Sequence, residues 1–174
     1  MLVLTGLLWT VCSISTIVSA QIPAKGLVAY YPFNGSAKDQ SGYKNDGNVD
    51  NAFLTMDRLG NANSAYQFSS NNSYIDCGSD SSLHIYDSIS LCAWFYIDGG
   101  TDNPRLLSTE SPEGNYRITT IGTSNQSRLL NCSFGSITLS AEVTTLAWHH
   151  VIFSYETGKA RLYIDGQKVL YSVV

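Results

Sequence analysis

Asp39, Asn45 and Asp46 fall in one short stretch, Asp39 to Gly47, that is rich in Asp, Asn and Gly. A hard cation such as Ca²⁺ takes about six to eight oxygen ligands, and such a turn presents carboxylates and carbonyls together. These three residues are therefore candidate Ca²⁺ ligands, supplemented by backbone carbonyls. The competing reading is a loop whose Asx side chains cap their own backbone. Trp94 and Tyr96 are the candidate ligand-binding aromatics. Exposed, they would stack on the apolar faces of sugar rings; with the strand faces inverted they would be core, and core is the preferred reading for Trp94 and for Trp148. His149 and His150 suggest a metal or a general base, but neighbours on a strand point to opposite faces and cannot chelate one ion together. A structural role is expected for both and for His84.

Catalysis finds little support. Glu110, Glu113, Glu142 and Glu156 are each in or near expected loops, without a partner at the strand spacing that would put two acids on one face for glycoside hydrolysis. No nucleophile elbow, zinc-protease helix motif, Cys-x-x-Cys or phosphate-cradling Gly loop occurs. Residues 21–174 contain Cys77, Cys92 and Cys132, an odd number. In an oxidising compartment this predicts one disulfide and one remaining thiol, with the pairing open and three structural thiols as the alternative. Asn34, Asn71, Asn125 and Asn131 each begin an Asn-x-Ser sequon, which has meaning only in a eukaryotic host.

The elements that position these residues read as strands. After Ala20 no stretch keeps a helical period for three turns. Ile89, Leu91, Ala93, Phe95 and Ile97 alternate with Ser90, Cys92, Trp94 and Tyr96. Val151, Phe153 and Tyr155 alternate with His150, Ile152 and Ser154, and Ala160, Leu162 and Ile164 form a further row. Glu156-Thr157-Gly158-Lys159 and Asp165-Gly166 supply hairpin turns, the second leading into Val169-Leu170-Tyr171. Further turns are marked by Gly99-Gly100, Pro104, Pro112-Glu113-Gly114 and Gly122. Towards the N-terminus a strand is expected over Gly26 to Phe33, then a polar loop from Asn34 to Asp50. A strand near Ala52 to Thr55 follows, and then a pair at Tyr66-Gln67-Phe68 and Tyr74-Ile75-Asp76. Many short strands at this spacing predict an all-β antiparallel jelly-roll sandwich, two sheets of about six strands each.

Four segments in this order resemble the laminin-G-like jelly-roll domains of the concanavalin A-like lectin/glucanase superfamily. They are Leu27 to Gly35 with Asp39 to Gly42 and Asn45 to Gly47; Ile89 to Phe95, ending in Ala93-Trp94; Trp148-His149-His150-Val151; and Tyr163-Ile164-Asp165-Gly166. The resemblance implies a non-catalytic binding module for glycan or an extracellular protein, with Ca²⁺ near the Asp39 loop. It also implies a return strand that closes the sheet, and the chain stops at Ser172-Val173-Val174 soon after the Asp-Gly hairpin. The expectation is a C-terminally incomplete domain whose first strand has an unpaired edge. The alternatives are a protein-binding adhesion or structural domain, and a degenerate glycoside-hydrolase-like fold.

Composition fits these readings. The chain has 174 residues and a net charge of −4, with 14% charged residues. Arg58, Arg105, Arg117, Arg128 and Arg161 stand singly, which disfavours nucleic acid, whose phosphates draw on clustered cations. Residues 1–20 contain no charged side chain and close on Val18-Ser19-Ala20, the small-residue pattern of a signal-peptide cleavage site. Thr10, Ser13, Ser15 and Thr16 interrupt the apolar run, which argues against a membrane anchor. One domain over 21–174 is expected, secreted or extracellular (periplasmic or on the cell surface in a bacterium), with no membrane insertion after cleavage.

Overall fold

The computed structural model describes residues 24–70, 72–99, 103–109, 116–122, 124 and 126–173. The expected signal peptide over 1–20 lies outside them, as do Asn71, Asn125, Glu110 and Glu113. Among the described residues no helix is long and apolar enough to cross a membrane.

The elements are β1 (Asn48–Asp50), β2 (Ala52–Thr55), β3 (Ala65–Phe68), β4 (Tyr74–Asp76), a 3₁₀ turn (Ser81–Leu83), β5 (Ile89–Tyr96), β6 (Arg105–Ser108), β7 (Tyr116–Gly122), β8 (Ser127–Phe134), β9 (Ile137–Thr144), β10 (Trp148–Glu156), β11 (Lys159–Ile164) and β12 (Gln167–Val173). They form two four-stranded antiparallel sheets, β12-β11-β10-β5 and β6-β7-β8-β9, and two ribbons, β1-β4 and β2-β3. The two four-stranded sheets face each other. The period of two explains the division of side chains, since it sends every second residue into the space between them. From the first sheet come Ile89, Leu91, Phe95, Val151, Phe153, Ala160 and Leu162; from the second come Ile118, Leu130, Cys132, Phe134, Leu139, Ala141 and Val143. The Phe134 and Tyr155 rings meet across the gap at 5.0 Å. This is an all-β jelly-roll sandwich, as the alternation predicts.

Turn chemistry fixes the registers. Thr157 and Gly158 have φ of 47° and 76°, and Asp165 and Gly166 have 52° and 78°. Positive φ at both central residues is the requirement of the type I′ hairpin, whose twist matches that of its strands. The pairings Tyr155↔Ala160 and Ile164↔Gln167 follow directly.

Three expectations about the elements are corrected. Residues 26–33 form no strand. Their main-chain groups are claimed by the following loop instead: the Tyr30 N–H donates to Asp39 Oδ1, the Tyr30 carbonyl accepts from the Gln40 N–H, and the Val28 carbonyl accepts from Ser41 and Asn45 side chains. The segments at 66–68 and 74–76 do not pair with each other, because each is taken by an earlier strand: Leu54↔Tyr66 in one ribbon and Val49↔Ile75 in the other. The strands therefore divide as four, four, two and two instead of six and six.

Candidate functional site

The outer face of the β5–β10 pair carries an aromatic strip. Its members lie in facing rows, Trp94 opposite His150 and Tyr96 opposite Trp148. Inward alternates Leu91 and Phe95 anchor β5 in the core, which forces Trp94 and Tyr96 outward. Trp94 is 49% exposed and Tyr96 45%, and Trp148 is half-buried beside Tyr96 with ring centroids 5.8 Å apart. The core reading of Trp94 and Trp148 is thus corrected, since both stand on the outer row of their strands. The Trp94 ring is braced by its neighbours. The His150 ring stacks on it at 4.7 Å, and the Arg58 guanidinium, from the turn between β2 and β3, lies 4.3 Å from its centroid. Such a guanidinium–indole contact contributes about 0.5–1 kcal/mol at exposed sites. Burial holds the His150 imidazole below its ordinary pKa and Arg58 adds to that, against the opposing pull of Asp165. His150 is therefore neutral at pH 7, and Cys92 Sγ sits 3.0 Å from its Nε2.

His149 points to the other side of β10, against Phe95 at 5.8 Å between centroids. The two histidines take opposite faces, as their adjacency predicts. His149 Nδ1 lies 2.8 Å from Asp165 Oδ2 and its Nε2 lies 2.9 Å from Thr144 Oγ1. An ionised carboxylate only accepts, so Nδ1 carries the proton. Asp165 Oδ1 also accepts the His150 N–H at 2.7 Å. Burial raises the Asp165 pKa, but these donors outweigh it and hold the carboxyl below its ordinary value. The sequence hydroxyl, imidazole, carboxylate is that of a nucleophile relay. Here it ties the end of β9, the start of β10 and the β11–β12 turn into one corner.

The second sheet has a different outer face, which the sequence reading passed over. Cross-strand partners place Ser108, Arg117, Ser133 and Thr138 in one row and Arg105, Thr119, Asn131 and Ser140 in the next. Together with Asn103 and Ile121 many of them line a groove of about 490 Å³. Its floor is polar and recessed: Ser133 is only 3% exposed although it belongs to the outer row. Ser133 Oγ accepts from Arg117 Nε at 3.2 Å, and Ser140 Oγ donates to Asn131 Oδ1 at 2.6 Å. The alternation Tyr116-Arg117-Ile118-Thr119 and Leu130-Asn131-Cys132-Ser133 was the available signal.

The profile of the family described as "Concanavalin A-like lectin/glucanases superfamily", of laminin-G type, matches residues 69–173, more than half of the chain. The chain belongs to this family. No curated protein and no solved structure matches it. The match takes in the aromatic strip, the His149–Asp165 corner and the polar groove, and starts after the Asp39 loop.

Calcium near that loop is what the laminin-G-like resemblance implies, and of its three candidate ligands Asp39 is already committed to the loop itself. Asp39 Oδ1 accepts from the Tyr30 and Ser41 N–H groups, and Oδ2 from Ser41 Oγ and the Asn45 N–H. Burial would raise the Asp39 pKa, but these donors hold it below its ordinary value. Asp46 Oδ1 accepts the Asp39 N–H, and buried Asn45 turns its amide N–H₂ to Val28 O and Ser82 Oγ. Each Asp39 oxygen thus already faces two donors, which is the self-capping arrangement. Among the described residues no three His, Cys, Asp or Glu side chains gather at one point.

The expected disulfide is also corrected, for Cys77, Cys92 and Cys132 are all free thiols. Cys132 lies on the inward row of β8 and Cys92 on the outward row of β5, so the β5 main chain stands between the two thiols and keeps them from bridging. Cys77 belongs to neither sheet and neighbours Tyr31.

Proposed function

We propose that this laminin-G-like domain is a secreted, non-catalytic module that binds glycan or an extracellular matrix component through the aromatic strip of Trp94, Tyr96 and Trp148. One observation carries the reading. Two large aromatic side chains stand about half exposed on a regular sheet, and one of them is held in a fixed plane by His150 and Arg58. A soluble domain gains nothing in its own fold from that exposure. A pre-set aromatic plane on rigid strands offers a sugar ring its contact area at little entropic cost. Among the described glutamates, exposed Glu142 lies within β9 of one sheet and exposed Glu156 at the end of β10 in the other, not on one strand face as the acid pair of glycoside cleavage would be.

A protein ligand is the second reading, favoured by the composition of the same strip. Trp, Tyr and Arg are the residue types that dominate the energetic centres of protein interfaces. A glycan array with the purified protein separates the two. Saccharide binding weakened about tenfold by Trp94→Ala or Tyr96→Ala supports the glycan reading. An array without signal at micromolar protein overturns it in favour of adhesion to protein. Release of reducing sugar from a bound polysaccharide would overturn the non-catalytic assignment.

A further inference from the structure

The polar groove on the outer face of β6–β9 is separate from the aromatic strip, on the opposite sheet of the sandwich. Its volume, about 490 Å³, is within the roughly 300–1,000 Å³ of small-ligand sites. Its hydrogen-bonding character is lopsided. Arg117 spends only Nε on Ser133, and its two terminal nitrogens have no partner among the described residues. Asn131 uses its oxygen as the acceptor for Ser140, which leaves its amide N–H₂ open. The Thr119 and Thr138 hydroxyls engage no other side chain among the described residues. The Ser133 oxygen, which could have served as an acceptor, is already occupied by Arg117. The groove therefore offers donors, among them the open guanidinium fork of Arg117 with Arg105 also on its lining, and asks its ligand for acceptors. A carboxylate matches the fork with two parallel hydrogen bonds. The flanking amide and hydroxyls suit the hydroxyl groups of a sugar ring, and Ile121 gives an apolar end wall.

We infer that this groove is a second binding site, selective for a saccharide bearing a carboxylate, with Arg117 as the residue that reads the charge. The inference rests on the domain being a saccharide-binding module, but the two sites fail separately. Isothermal titration with a de-esterified oligogalacturonide, its fully methyl-esterified counterpart and a heparin oligosaccharide tests it. The acid form is expected to bind at least tenfold tighter than the ester, with affinity falling as salt is raised. Arg117→Gln should lose at least tenfold and Arg117→Lys should restore part of that, while Trp94→Ala and Tyr96→Ala leave this binding unchanged. Arg117 is exposed, so its variants are expected to keep the melting temperature; should Arg117→Gln not fold, the exposed Thr138→Val provides the same test with a smaller loss. Equal affinity for acid and ester, an undiminished Arg117→Gln, no binding of the acid form, or tighter binding of the sulfated chain would each overturn the assignment. Loss of array binding in the strip variants with the groove intact would overturn neither site's independence and supports it.

Discussion

His149 is the residue on which the end of β9, the start of β10 and the β11–β12 turn converge. Its ring joins Thr144 and Asp165, while Asp165 reaches on to the His150 main chain. The Trp-His-His-Val and Tyr-Ile-Asp-Gly segments are thus two halves of one hydrogen-bonded corner. Asp165 also has to adopt φ of 52° to make the turn, a conformation that Asp and Asn tolerate better than most residues. Removing the imidazole leaves a carboxylate with fewer donors, and hydrogen bonds to charged groups contribute about 1.5–3 kcal/mol. His149→Ala and Asp165→Ala are each expected to destabilise the protein by about 2 kcal/mol in urea unfolding. Because the partners share one interaction, the double variant should cost clearly less than the sum. Simple additivity would show that the corner contributes nothing through this pair.

At the scale of elements, the loop from 34 to 47 engages the main chain of 26–33, where a strand was expected. Asp39 serves Tyr30, Ser41 and Asn45 at once, so one carboxylate replaces several ladder hydrogen bonds. Gly47 then lets the chain pass into β1: a Cβ there would lie 2.5 Å from Ile75 Cγ2 and 3.0 Å from Ala37 Cβ. Asp39→Ala would strand three main-chain donors, at about 1–3 kcal/mol for a buried one and less where water can reach. A loss near 2 kcal/mol at pH 7 is expected. The folded carboxyl has a pKa below 3.8, so its contribution is fully present above about pH 4 and disappears as pH falls through the lowered value. The wild type should therefore lose stability on acidification below pH 4 more steeply than Asp39→Ala, as read by thermal melts from pH 5 to pH 2. Addition of millimolar Ca²⁺ should leave the melt unmoved, since both Asp39 oxygens already face donors. Parallel acid profiles, or a Ca²⁺-induced rise, would refute this account of the loop.

For the whole molecule, the alternation along β5, β10 and β11 made the first sheet legible in advance, together with its two primed turns. Period two is a local property, and Leu91, Val151 and Leu162 carry it without help from elsewhere. The ribbons were less legible because pairing partners are a long-range choice: nothing local tells Tyr66 to choose Leu54 over Ile75. The same limit hid the polar groove, whose residues come together only through the β6–β9 registers, and left open whether the cysteines pair. Cys132 is completely buried between the sheets and burial pushes its thiol up to about 12, while burial raises Cys92 and Cys77 as well. A thiolate is the reactive form, so Cys132 is doubly protected, by exclusion of reagent and by its raised pKa. It reports on the integrity of the two-sheet core, because reagent reaches it only when the sheets separate. Thiol titration of residues 21–174 with Ellman's reagent at pH 8 should give three reactive thiols per chain in denaturant. Without denaturant Cys92, on the outer row, should react first, and Cys132 only at a rate set by unfolding. Cys132→Ala should abolish the slow phase alone. A Cys132 that reacts as fast as Cys92 would contradict the sandwich as described, because it requires Cys132 to leave the space between the sheets.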